Sequence, residues 1–419
     1  MGKFFTLSAT LKSRIIGDFL LSTTMNAIMP FIALYLTSKI NAIFAGVFFI
    51  VNILVNIVIS FIGGYLGDHY NRKKLIHITY LLYSICLILL AITVTLDGIG
   101  LVIFCVILFI FSNLTGIGET ILNAAIMDAI YEDVREYVYQ LNYWVYNASL
   151  ALGMLLGAAL YHHHKHLLFG LFFVAMLVSW YLFIKYYRVE QVMSYRAEDL
   201  GKVKHFLQNL ALVFKDKYYM LLNSGFILTM MAELSLNSYI IVRLRDEFHT
   251  IQLWGIPIDG VRIFTIIMII NAIVVVTMTF KVNQWMTFMR KGRAFIVGIF
   301  LYAVGYGVLT MSNSFWMLCL VMVIATIGEL IYSPIHNAQR FLMIPADKRG
   351  TYSAMETICF FGSEILARFG LILGSILLSW QMSIYVVILI LIGGALMYIA
   401  LFKNPHIPSE RSLHENSKN

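Results

Sequence analysis

Glu329 lies in an apolar run of helix length, residues 315–340, with no basic residue within two turns. An ionised carboxylate at the centre of a bilayer costs several kcal/mol, so such a residue is a functional candidate by default. The chemistry it suits is reversible proton binding. Glu233 in the run 217–243 and Glu119, which follows Gly116 and Gly118 in the run 99–127, are candidates of the same kind, with a hydrogen bond to a neighbouring helix as the alternative for Glu233. Asp18 reads either as a further proton site or as the i,i+4 partner of Arg14. Arg262, three residues after Asp259, reads equally as a proton-coupling group or a salt-bridge partner. Glu364 and Arg368 are spaced i,i+4 and read as a self-neutralising pair, while Ser353 and Glu356 have the spacing of a capping box.

Other chemistry has little support. HExxH, GxSxG and paired acidic motifs are absent, which disfavours an integral membrane enzyme. Cys86, Cys105, Cys319 and Cys359 share no CxxC spacing and read as small buried thiols, so neither a disulfide, a metal site nor a cofactor is expected. His162, His163, His164 and His166 cluster in a short polar stretch and read as a variable loop, with metal binding or pH sensing the lesser reading. Most of the 30 Phe, 24 Tyr, 6 Trp and 21 Met serve packing and lipid contact, but a subset can line an adaptable cavity. Tyr143, Trp144, Tyr146 and Asn147, beside Gly153 and Gly157, are the best candidates for that lining.

The elements that must hold these residues follow from composition. Of 419 residues, 60% are hydrophobic and 12% charged, whereas soluble domains average about 25% charged. The apolar runs reach the roughly 20 residues that a membrane-crossing helix needs and are apolar on every face, unlike barrel strands. About twelve spans are predicted, over 14–37, 42–66, 74–95, 99–127, 137–160, 166–187, 217–243, 258–281, 293–312, 315–340, 351–379 and 382–403. The longest polar segment lies between the sixth and seventh. The expected organisation is therefore an N-terminal six-helix half over 1–187, a linker over 188–216 and a C-terminal six-helix half over 217–419.

Arg14 leads directly into an apolar run with no small-residue cleavage site, so the first span is expected to be retained. Lys and Arg concentrate on the side that holds the termini, the linker and the turns at Arg72-Lys73-Lys74 and Arg290-Lys291-Gly292-Arg293. That asymmetry predicts cytoplasmic termini in the cell membrane and accounts for the net charge of +8 without a nucleic-acid partner. The two basic turns form a weak internal echo, as expected of repeated halves that rock about a central site.

The segment Gly64-Tyr65-Leu66-Gly67-Asp68-His69-Tyr70-Asn71-Arg72-Lys73-Lys74 has the make-up of a tight turn between two helices. Gly64 and Gly67 permit close helix contact, Asp68 can face a helix N-terminus, and Asn71 tolerates positive φ. The segment resembles the signature of the major facilitator family between its second and third helices, with Asn71 in place of a glycine. Further matches to the family's multidrug/proton antiporters are Met127-Asp128-Ala129, Tyr143-Trp144 before Gly153 and Gly157, Gly260-Val261-Arg262, and Gly328-Glu329-Leu330-Ile331-Tyr332-Ser333-Pro334.

The resemblance implies an all-α membrane protein of twelve helices that exports lipophilic compounds in exchange for protons, acting as a monomer. It also implies a gate in which Asp128 pairs with Arg72. Where those antiporters carry carboxylates in helices five and seven, this chain has Asn142 and Asn237, with Glu233 one turn before the second. Monovalent cations and neutral lipophiles are therefore expected to be favoured over dications. The rival reading is a proton-coupled facilitator of one solute, such as a metabolite or lysolipid. The ExxER pattern of peptide symporters and the Pro-Glu-Ser motif of sugar porters are absent.

Overall fold

The computed structural model describes residues 4, 7–127, 132–161, 164–187, 213–286, 288–344 and 349–405. Asp128, His162, His163 and most of the linker lie outside the described residues, as do the side chains of Asp68, Arg72, Tyr143, Trp144, Ser353 and Glu356. The helices are α1 (Ala9–Lys39), α2 (Ala42–His69), α3 (Arg72–Thr93), α4 (Ile99–Met127), α5 (Glu132–Leu160), α6 (Lys165–Tyr186), α7 (Lys217–Leu234) and α8 (Tyr239–Glu247). They continue as α9 (Gly260–Met286), α10 (Lys291–Met311), α11 (Phe315–Met343), α12 (Arg349–Leu373) and α13 (Ser379–Phe402). Ten of them are long and apolar enough to cross a membrane, and Val145–Leu160 within α5 is a shorter apolar stretch. Helices are the natural outcome for such runs, because lipid offers the backbone no hydrogen-bonding partner.

The chain separates into two compact units, Met1–Leu36 with Phe48–Arg196, and Thr37–Val47 with Ala197–Asn419. In the first, Leu7 just before α1 and Leu11 and Ile15 of α1 pack with Val138 and Val145 of α5. Farther along the same pair, Gly153 lies where a Cβ would be 2.7 Å from the Cβ of Asn26, and Gly157 faces Phe31 and Ala27. Between α2 and α4 the close approach is at Gly63, where a Cβ would be 2.9 Å from the Cα of Ile117. In the second unit, Gly225 of α7 and Gly393 of α13 meet backbone to backbone, and Gly298 and Gly305 of α10 do the same with Gly328 and Ala325 of α11. Small residues at such crossings let helices gain dispersion contact in the absence of a hydrophobic driving force.

Four details differ from the sequence expectation. Asn71 has φ −62°, not a positive value, and its side chain accepts a hydrogen bond from the Lys74 amide at 3.1 Å, so it is the N-cap of α3. Helix α12 begins at Arg349, four residues before Ser353, which rules out a capping box there. The expected continuous span 217–243 breaks at a 3₁₀ turn, Ser235–Asn237, after which Ser238 has φ −134° and ψ −92°. A hairpin of β1 (Ile251–Leu253) and β2 (Ile256–Ile258) precedes α9, closed by the two positive-φ residues Trp254 and Gly255. Two central residues with positive φ are the signature of the two-residue turn whose twist matches antiparallel strands.

Neighbouring side chains hold the broken span. The Arg368 guanidinium of α12 donates to the Asn237 carbonyl at 2.9 Å and pairs with Glu364 at 3.2 Å, and the Ser238 hydroxyl donates to the Ala367 carbonyl at 3.0 Å. Beyond the break, the buried Arg243 of α8 donates to Asn313 at 2.7 Å, to the carbonyl of Ser312 at 2.8 Å and to that of Leu309 at 3.2 Å. Those carbonyls belong to the C-terminal end of α10, where helix geometry leaves acceptors unpaired.

Candidate functional site

Two groups of polar residues sit inside the apolar frame, one in each unit. The first is built on α11. Gly328 lets α10 approach so closely that Tyr302 of α10 meets Tyr332 of α11, their ring centroids 5.2 Å apart, with Tyr306 one turn away at 4.6 Å from Tyr302. All three rings are buried, and Glu329 follows Gly328 directly. Pro334 removes one intrahelical donor from the same stretch of α11.

Glu233 of α7 lies two residues before the break and within electrostatic reach of Glu329, and both carboxylates are half-buried. Each of the three tyrosines is within electrostatic reach of both. Two carboxylates within electrostatic reach of each other in a low-dielectric setting favour a shared positive charge, either a proton or a cation. The Asn237 Oδ1, on the turn that ends α7, is buried without a hydrogen-bond partner among the described residues.

Sequence reasoning missed His336. It stacks on Phe226 of α7 with ring centroids 5.2 Å apart, and its Nε2 is buried without a hydrogen-bond partner among the described residues. Phe226 and His336 are each seven residues from the Glu233 and Glu329 pair, two turns or roughly 10 Å along antiparallel helices. The i+7 spacing from Glu329 was the available signal. Tyr302 and Tyr306 were missed too, although the Gly298-x₃-Tyr302 and Gly305-Tyr306 pattern marks a close-packed face.

The second group lines a cavity of about 450 Å³ within the first unit. Arg14 and Asp18 of α1 form an ion pair there at 2.6 Å, and Glu119 of α4 faces the same space together with Asn142 and Tyr146 of α5. Tyr83 is fixed at its wall by donating to the Leu114 carbonyl at 2.7 Å. Asn147 lies one residue beyond Tyr146 on α5 and is half-buried.

The remaining candidates are placed apart from these groups. Gly64 and Gly67 lie in the last turns of α2, and Lys73 is exposed at the start of α3. Arg262 is in the first turn of α9. Its amide donates to the Asp259 carboxylate at 2.8 Å and its guanidinium to the Pro257 carbonyl, so it ties the helix to the hairpin. Among the described residues no group of three or more His, Cys, Asp or Glu could hold a metal ion.

Comparison with known proteins bears on what such an arrangement belongs to. A Na(+), Li(+), K(+)/H(+) antiporter of Planococcus maritimus is 22% identical over 377 residues, covering 83% of this chain and 85% of that protein. A sulfate-bound peptide transporter of the POT group superposes with a TM-score of 0.69 at 14% identity, over 94% of each chain. A bacterial homologue of the iron transporter ferroportin, in its inward-facing state, superposes with a TM-score of 0.71 at 11% identity, over 93% of this chain and 97% of that one. These structural likenesses concern the fold. The model of the Major Facilitator Superfamily matches residues 15–367, most of the membrane-spanning chain including both polar groups except Arg14, and the protein is therefore a member of that superfamily of transporters.

Proposed function

We propose that the protein is a proton-driven exporter that exchanges lipophilic compounds, mainly monovalent cations or neutral molecules, for protons by alternating access in the cell membrane. The observation that carries this reading is that Glu233 and Glu329 lie within electrostatic reach of each other and of three buried tyrosines. Proton and cation compete for one pair of carboxylates, and that competition couples their fluxes. The aromatic cavity that holds Asn142 and Tyr146 supplies a surface for a lipophilic cargo, with Tyr143, Trp144 and Asn147 as its neighbours on α5. Glu119 and Arg262 are secondary candidates in proton coupling, and Asn237 in cargo contact. The 188–216 segment links two rocking halves with both termini cytoplasmic.

The relative named as a Na(+), Li(+), K(+)/H(+) antiporter favours a second reading, exchange of inorganic monovalent cations. Proteoliposomes with an imposed pH gradient separate the two. Exchange of one monovalent cation for one proton moves no net charge, so about 1.4 kcal/mol per pH unit is available and the membrane potential adds nothing. Uphill accumulation of tetraphenylphosphonium, abolished by a protonophore and insensitive to potential, is the expected result. Movement of Na⁺ or K⁺ without the organic cation selects the second reading, and movement of neither refutes both.

The signature turn gives a separate prediction. Asp68→Asn should lower exchange by on the order of tenfold or more while cation affinity stays near that of wild type, because a gate acts on the barrier between states and not on the bound state. Reversing the charges of Arg72 and Asp128 together should restore part of the activity lost by either reversal alone. Exchange rates and affinities measured on the same preparations decide it, and wild-type exchange by Asp68→Asn removes the gate assignment.

A further inference from the structure

The cavity of the first unit has three charged residues among its described lining, Arg14, Asp18 and Glu119. Arg14 and Asp18 are one helical turn apart on α1 and joined at 2.6 Å. Glu119 comes from α4, lies within electrostatic reach of both, and has no ion-pair or hydrogen-bond partner among the described residues. Tyr80, Tyr83, Phe172 and Met25 make up much of the remaining wall, and a volume of about 450 Å³ is within the range of small-molecule sites. The pair differs from Arg368 and Glu364, another i,i+4 pair. Arg368 also donates to the Asn237 carbonyl and so holds the backbone, whereas Arg14 faces the cavity beside a third charge.

Resting on the cation-exchange reading above, we propose that Arg14 is a built-in counter-ion that sets the valence the cavity accepts. By occupying Asp18 it leaves the single free charge of Glu119, and one negative charge surrounded by aromatic rings matches one lipophilic monovalent cation. A second cationic group on the cargo would find no partner within this cavity and would be desolvated there uncompensated. The preference against dications then comes from an arginine that masks a carboxylate already present, in addition to the asparagine at 142 on the same wall.

Three variants test the charge count. Arg14→Gln frees Asp18 and raises the formal charge of the cavity to two negatives. The ratio of dication to monocation affinity should then rise about tenfold or more. Asp18→Asn leaves Arg14 to turn to Glu119, so monocation affinity should fall about tenfold while neutral lipophiles still bind. The double variant Arg14→Gln with Asp18→Asn returns the count to one negative and should restore the wild-type ratio.

Equilibrium binding of tetraphenylphosphonium and of an aromatic bis-quaternary ammonium to the purified full-length protein reads all three, with thermal melting as the control for folding. An unchanged ratio in Arg14→Gln, or a double variant that behaves like Arg14→Gln, overturns the proposal. If Arg14→Gln does not fold, Asp18→Asn decides alone, and wild-type monocation affinity in that variant overturns it. Wild-type protein that binds neither cation refutes the cation-exchange reading itself. Wild-type protein that exchanges tetraphenylphosphonium with a ratio unmoved by these variants refutes only the role of Arg14.

Discussion

Glu329→Gln should abolish uphill, proton-driven accumulation of a lipophilic cation while leaving downhill leakage of neutral lipophiles. Glutamine keeps the shape of a protonated glutamate but can neither release a proton nor offer a charge to the cargo. Loss of the coupled step is expected to exceed on the order of a hundredfold in exchange rate, since the interaction removed belongs to the step itself and not to substrate binding alone. Ethidium or tetraphenylphosphonium accumulation in vesicles with an imposed pH gradient, wild type beside variant, reads the difference. Undiminished accumulation would move the exchanging role to Glu233 or Glu119.

The residue before it should matter nearly as much, for a purely steric reason. A Cβ at Gly328 would lie 2.5 Å from the backbone nitrogen of Tyr302 and 2.7 Å from the carbonyl oxygen of Gly298. Both are backbone atoms, so no rotamer change relieves the clash and α10 must move away from α11. Gly328→Ala should therefore destabilise by about 2–3 kcal/mol, at the upper end of overpacking penalties, and should reduce exchange by separating Tyr302 from Tyr332. Gly170→Ala is the control, because a Cβ there has no atom within 4 Å. A helical alanine in open space is neutral or stabilising by up to about 1 kcal/mol. Thermal melting of the two variants in detergent distinguishes them, and coincident melting curves would refute the packing argument.

Carboxylates were the legible part of the site, because a charge in an apolar helix is too costly to be incidental and Glu329, Glu233 and Glu119 stand out at once. The i,i+4 pairs Arg14 with Asp18 and Glu364 with Arg368 were readable from spacing, and both form. Which carboxylates meet was not readable, since the approach of Glu233 to Glu329 depends on how α7 lies against α11. The break at Ser235–Asn237 was hidden for a similar reason. Its polar residues are tolerated in an intact helix, and the open backbone persists because Arg368 and Ala367, over a hundred positions away, take up Asn237 and Ser238.

Asn71 shows a local ambiguity of another kind. The short side-chain amide that lets Asn adopt positive φ also makes it a good N-cap, and capping prevailed because α3 starts at the next residue. The hairpin before α9 was readable in principle. Ile251-Gln252-Leu253-Trp254-Gly255-Ile256-Pro257-Ile258 alternates about a turn ending in glycine, but a nearly continuous apolar string masked it.

The central claim is that cation and proton compete for the Glu233 and Glu329 pair. Proton release on cation binding tests it most directly. Purified protein in weakly buffered detergent solution, with a pH indicator and saturating tetraphenylphosphonium, should release about one proton per cation bound and bind more weakly as the pH falls. Glu329→Gln should release none. Tight binding by the wild type with no proton release, or equal release by Glu329→Gln, would contradict the account.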